Sequence, residues 1–426
     1  MLKNIFLTSL LINSMLVQAQ DNPLASILKS EKFKQITENP LKYRVQILYT
    51  QINRDKQNKP SLKTYSYRTD SKEYFYPAST VKLAASVLAL EKINALKLDK
   101  YAFMYTRKSR QGQQEITQDL SAESGKPSVA HYIKKILLVS DNEAYNRLYE
   151  FLGQKEFNES MRSKGFKGVR FTHRLQVPLT PLENQFTNPI EFVDSMGRIQ
   201  YFQEAAFNHR PIMSKKPILL GQGFMNSQGQ IEHAPYDFTL KNAFPLAAQH
   251  EFLQRLMLPE AFTKKKQFNL TKKDYAFLYQ YMSQYPTETR YPNYLFYSTF
   301  HPTYCKFIYY GSDKNEPLNR NIRIFNKVGD AYGFLLDNAY VVDFENQIEF
   351  MVSAVILCNE DEIFNDDVYE YDRVGFPFLR QLGQEIHRYE MKRPKKYPPK
   401  LDHLKIKYNC QMVFKPNIKL CGSSLC

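Results

Sequence analysis

Residues 76–82 read Tyr76-Pro77-Ala78-Ser79-Thr80-Val81-Lys82, and the stretch from Ser79 to Leu96 that they open has the spacing of a helix, with Val81, Ala84, Ala85, Leu88 and Leu90 on its apolar side. A Ser-x-x-Lys at a helix start puts both side chains on one face, one turn apart. The serine also meets unpaired backbone N–H groups and the positive end of the helix dipole. A serine hydroxyl is a poor nucleophile until a neighbouring base takes its proton, and a desolvated, neutral lysine can be that base. The pattern therefore suits acyl transfer. The same serine would also serve as a helix N-cap, and a second Ser-x-x-Lys at Ser26 and Lys29 has nothing catalytic nearby. The motif decides nothing alone.

Upstream, residues 22–38 have helical spacing, residues 43–53 alternate like a strand, and Leu62 to Tyr67 form a second strand candidate. Downstream, residues 129–152 hold two helical stretches around Ser140-Asp141-Asn142. Thr187-Asn188-Pro189 predicts a helix start, with Phe192, Val193, Met196 and Ile199 as its apolar positions. Residues 202–269 are irregular and aromatic-rich, and 270–282 return to helix. Residues 322–325, 333–343 and 348–358 read as three closing strands, and 376–390 as a last amphipathic helix. Strands at both chain ends with helices between them predict a layered α/β (α+β) body, its antiparallel sheet shared by the two termini and flanked by helices, beside an all-helical lobe.

Two further clusters give Ser79 its weight. Ser140-Asp141-Asn142 follows Ser79 by 61 residues, at a helix break, and Lys327-Val328-Gly329 follows Ser140 by 187, on the first closing strand. Order and context together resemble the Ser-x-x-Lys, Ser-Asp-Asn and Lys-Thr-Gly elements of the penicillin-recognising serine enzymes, and within them the class A β-lactamase group, over about residues 22–390. The resemblance implies Ser79 as nucleophile and Lys82 as its partner in proton transfer. It implies Ser140 as proton relay toward the leaving nitrogen, and Lys327 as its support and as attractant for a substrate carboxylate. Asn142 would bind the substrate amide, Gly329 would belong to the strand motif, and the backbone N–H groups of Ser79 and Asp330 would form an oxyanion hole. Asp141 would buttress the turn.

Two departures stand out. Val328 replaces the hydroxyl residue of the strand motif, which removes one hydrogen bond to a substrate carboxylate. Where class A members carry a glutamate two residues after an arginine, this chain has Arg174-Leu175-Gln176, and glutamine cannot act as a carboxylate base. Glu183 is the nearest acid in that segment, either a displaced base or a surface residue. An acyl-enzyme would then form and hydrolyse slowly. The expected substrate is a small β-lactam or a cell-wall peptide. A D-alanyl-D-alanine carboxypeptidase or penicillin-binding protein, and a non-catalytic cell-wall module on the same fold, are the alternatives.

Composition bounds the rest. The chain has 426 residues, 43% hydrophobic and 24% charged, as in globular proteins, and a net charge of +15. Residues 1–19 read as a secretory signal, with Lys3 before an apolar run and a cleavage site near Ala19. A periplasmic or secreted protein is expected, with no transmembrane span in the mature chain. Residues 391–426 form a basic extension of nine Lys/Arg against Asp402, suited to an anionic surface or to plain solvation, and hold Cys410, Cys421 and Cys426. Residues 20–390 would be the catalytic domain, with 202–269 as an insertion. Scattered histidines without a zinc motif, and the lack of a phosphate loop, lead us to expect neither metal nor cofactor. No nucleic-acid motif is present. The aromatic segment 285–310 reads as core, or else as cleft lining.

Overall fold

The structure is a computed structural model that describes residues 22–408. Its frame is a five-stranded, wholly antiparallel sheet: β1 (Gln46–Arg54), β2 (Pro60–Tyr67), β3 (Ile322–Ala331), β4 (Phe334–Asp343) and β5 (Ile348–Leu357), in the order β3-β4-β5-β1-β2. The first two strands thus join the last three, as the sequence led us to expect. Tyr49 pairs with Val352, and Lys327 with Asn338.

Period-2 alternation divides the strands between two cores. Ile47, Tyr49, Ile324, Val328 and Val352 face one side, against Leu379, Leu382 and Ile386 of the closing helix Phe376–Lys392. Leu48, Phe325, Leu336, Tyr340 and Val355 face the other, against the helical lobe. That lobe contains α1 (Val81–Ala95), α2 (Val129–Val139), α3 (Asn142–Leu152) and α4 (Gln154–Ser163). Every residue of α1 from Val81 to Leu90 is buried, the pattern of a helix surrounded by protein.

Several local expectations fail for physical reasons. Residues 187–199 do not form a helix. Ile190–Val193 is a strand between Phe103–Thr106 and Ile199–Gln203. Asn188 donates to Arg107 O and Gln114 O in place of capping a helix, and of the four apolar positions only Phe192 and Val193 are buried, while Met196 and Ile199 are exposed, so no helical apolar face forms. The N-terminal helix is two short ones, Pro23–Leu28 and Lys34–Glu38, with a 3₁₀ turn at Glu31–Phe33. The irregular region contains a helix, Leu246–Met257, whose Leu246, Phe252, Leu253 and Leu256 enter the core. After Lys392 the chain lies against the body: Leu401 and Leu404 are buried in the main core, and Tyr408 Oη meets Ser283 Oγ at 2.7 Å. Residues 1–19 and Cys410, Cys421 and Cys426 lie outside the described residues. Cys305 and Cys358 are buried and unpaired.

Candidate active site

The Ser79 turn is held from both sides. A single 3₁₀ turn, Ala78–Thr80, leads into α1, with Ala78 at φ +45° and Thr80 Oγ1 donating to Pro77 O at 2.6 Å. Neither the turn nor α1 has a side-chain cap, so Ser79 does not serve as one. It is half-buried at the cleft wall. On the opposite side β3 passes so near that a Cβ on Gly329 would stand 2.9 Å from Pro77 O, 3.0 Å from Ser79 N and 3.1 Å from Thr80 Cγ2. Only glycine permits this approach.

Lys82, one turn along α1, is fully buried. Its Nζ donates to Asn142 Oδ1 at 2.7 Å and to Ser140 O, and lies 3.2 Å from Ser140 Oγ. Ser140 ends α2 at φ +60°, and Asp141 caps α3 by accepting from Ala144 N at 2.7 Å. This left-handed turn aims the Ser140 hydroxyl and the Asn142 amide at one lysine. From β3, Lys327 Nζ donates to Ser140 Oγ at 2.8 Å and to Val328 O at 2.8 Å. The Ser140 hydroxyl therefore bridges two amines. Burial, reinforced by the Lys327 charge, pushes the Lys82 amine well below the usual lysine value. Burial also lowers Lys327, to about 8. Ser79 Oγ has no hydrogen-bond partner among the described residues. Catalytic hydrogen bonds commonly tighten only when substrate binds.

The segment carrying Gln176 is pinned to α3. Buried Asn146 accepts from Leu175 N at 2.8 Å and donates to Leu175 O at 3.0 Å. Arg174 is buried, paired with Glu150 at 2.9 Å, and donates to Phe186 O at 2.7 Å. It anchors the loop rather than entering the cleft. Gln176, at φ +52°, reaches the cleft, where its Oε1 accepts from Asn142 Nδ2. Glu183 lies elsewhere. It is exposed, accepts from Thr180 N and Thr180 Oγ1 at 2.7 Å each, and lines a separate cavity of about 280 Å³. Those bonds hold its carboxyl below the usual value.

The Ser79 cleft encloses about 830 Å³. Ser79, Ser140, Asn142, Gln176 and Asp330 line it, above buried Lys82 and Lys327. Val328 does not. Its side chain is 2% exposed and packs in the core on the far face of β3, because adjacent residues of a strand point to opposite sides. The Val328 side chain, at the place of the strand motif's hydroxyl, is therefore turned away from the cleft. Sequence reasoning missed most of the aromatic wall. Tyr332, Tyr369 and Tyr371 join Phe300 and Tyr304, and exposed Asp367 also lines the cleft. No cluster of His, Cys, Asp and Glu suited to a metal occurs among the described residues.

A family model described as "Beta-lactamase enzyme family" matches residues 30–389. Among solved structures, the chain is similar to the chromosome-encoded beta-lactamase of Vibrio parahaemolyticus, at 16% identity and a TM-score of 0.46, over 85% of this chain and 100% of that one. A beta-lactamase from Sphaerobacter thermophilus matches at 11% identity and 0.46, over 87% and 98%. One from Xanthomonas campestris pv. campestris matches at 14% and 0.45, over 86% and 95%. No curated protein matches the chain.

Proposed function

The chain belongs to the beta-lactamase enzyme family, and from that premise we propose that Ser79 is its nucleophile and that it hydrolyses β-lactams or related amides through a long-lived acyl-enzyme. The observation carrying this reading is the Ser140 hydroxyl between Lys82 Nζ and Lys327 Nζ, at 3.2 and 2.8 Å. Ser79 Oγ attacks the carbonyl carbon and its proton passes to neutral Lys82. Backbone N–H groups of Ser79 and Asp330 hold the developing oxyanion. Ser140, steadied by protonated Lys327, passes a proton to the leaving nitrogen as the C–N bond breaks. The Ser79 ester is then left to water. Gln176 can orient that water through its amide but cannot take its proton, so deacylation is slow.

That slow step favours, as a second reading, a penicillin-binding protein or D-alanyl-D-alanine carboxypeptidase. Export after cleavage near Ala19 is part of the same proposal and rests on the sequence of residues 1–19. Labelling with a fluorescent penicillin tests it. The wild type should carry label and Ser79→Ala should carry none. A wild-type protein that never labels would point to a binding module without catalysis.

A further inference from the structure

The chain carries a net charge of +15, yet no lysine or arginine lines the Ser79 cleft. Lys82 and Lys327 are buried beneath it, at 0% and 3% exposure, and Lys241 donates to the hydroxyl of Tyr332, one of the lining residues, at 3.3 Å. The lining instead includes four carboxylates. Two already have basic partners: Asp141 lies 3.7 Å from Lys135, and Glu143 lies 2.7 Å from Arg147. The other two, Asp330 and Asp367, are exposed and form no ion pair among the described residues. Protein crowding Asp330 on its other sides pushes its carboxyl upward, and Lys327 and Lys82 below pull it back. Asp367 sits in a loop with positive φ at Asn365 and at Asp367 itself.

The same lining includes the aromatic wall. Phe300 and Tyr304 meet edge to face at 5.1 Å, and Tyr369 and Tyr371 stand 5.5 Å apart. All four rings are half-buried with surface in the cleft. Ring faces attract organic cations, and do so more strongly where water is partly excluded. Carboxylates in a low-dielectric recess focus the field on an entering charge.

We propose that the outer part of the Ser79 cleft selects a substrate carrying a protonated amine, with Asp330 and Asp367 as its specificity-determining carboxylates. The amine lies among the rings and acids at the mouth, while the scissile carbonyl reaches Ser79 at the floor. A second anionic group at the mouth is repelled. This inference rests on Ser79 being the nucleophile, and its test keeps the two apart.

Two fluorophosphonate probes of equal length would be used, one with a trimethylammonium tail and one with a sulfonate tail. Either phosphonylates an activated serine: the P–O bond forms, the P–F bond breaks, and the hydroxyl proton leaves with fluoride. At low salt the cationic probe should label Ser79 roughly tenfold faster or more, the lower end of the effect for charged clefts. The ratio should fall toward one in Asp330→Asn/Asp367→Asn and at high ionic strength. Taking a ratio cancels any change in the nucleophile itself, and Asp367→Asn alone, on an exposed loop, should lower it part-way even if the double variant folds poorly. A wild-type ratio of one or less, or a ratio unchanged in both variants, overturns the inference. Failure of both probes to label the wild type overturns the Ser79 assignment instead, and this inference with it.

Discussion

Gly329→Ala perturbs the contact that seats the nucleophile. The added Cβ would stand 2.9 Å from Pro77 O and 3.0 Å from Ser79 N, against an ordinary floor of 3.4 Å. Backbone must therefore retreat by 0.4–0.5 Å, since no flexible side chain end is there to yield. Overpacking of this kind costs about 1–3 kcal/mol of stability. A misplacement of about 1 Å can cost on the order of 10²-fold in rate, so half that shift should cost roughly tenfold. Penicillin acylation followed by intact mass gives the rate, and urea unfolding gives the stability. The expected result is a folded protein, slightly destabilised, that acylates roughly tenfold more slowly. Acylation within twofold of wild type would refute the view that β3 fixes the position of Ser79.

Three other outcomes follow from the site. Gln176→Glu should speed deacylation by on the order of 10²–10⁴-fold, about 3–5 kcal/mol of barrier, whereas Glu183→Gln should leave turnover unchanged. Loss of turnover in Glu183→Gln, measured at steady state, would reassign the base. Lys327 is protonated below about 8 and neutral above it, so acylation by a carboxylate-bearing penicillin should fall as pH rises through that value. A rate still climbing at pH 9 would remove Lys327 from the reaction. Asn146→Ala strands the Leu175 N–H and C=O, each buried orphan costing about 1–3 kcal/mol, and should lower unfolding stability while altering turnover through Gln176. Wild-type stability in a denaturant titration would contradict the pinning role.

The sheet was legible because residues 43–53 alternate and the closing strands are runs rich in Val, Ile, Phe and Tyr separated by short turns. Ser79, Lys82, Ser140 and Lys327 were legible because their motifs fall at element boundaries, where a side chain can be aimed. Residues 190–193 were misread because the strand is set by Phe103–Thr106, far off in sequence, while Asn188-Pro189 mimics a local helix start. The side-chain direction of Val328 depends on strand register, which three residues of motif do not reveal. Asp367 and Tyr369 reach the cleft from beyond β5, more than 280 residues after Ser79, and no local pattern marks them. The negative character of the cleft was hidden for the same reason, beneath a strongly positive total.

Acylation of Ser79 and a long-lived ester left by Gln176 can be tested together. An intact-mass time course with benzylpenicillin, followed by removal of free drug, measures both at once. Wild-type protein should become heavier by one whole penicillin, located to the peptide containing Ser79, and the adduct should decay slowly after the chase and be absent in Ser79→Ala. Rapid hydrolysis with no adduct, or an adduct that survives in Ser79→Ala, would contradict this reading.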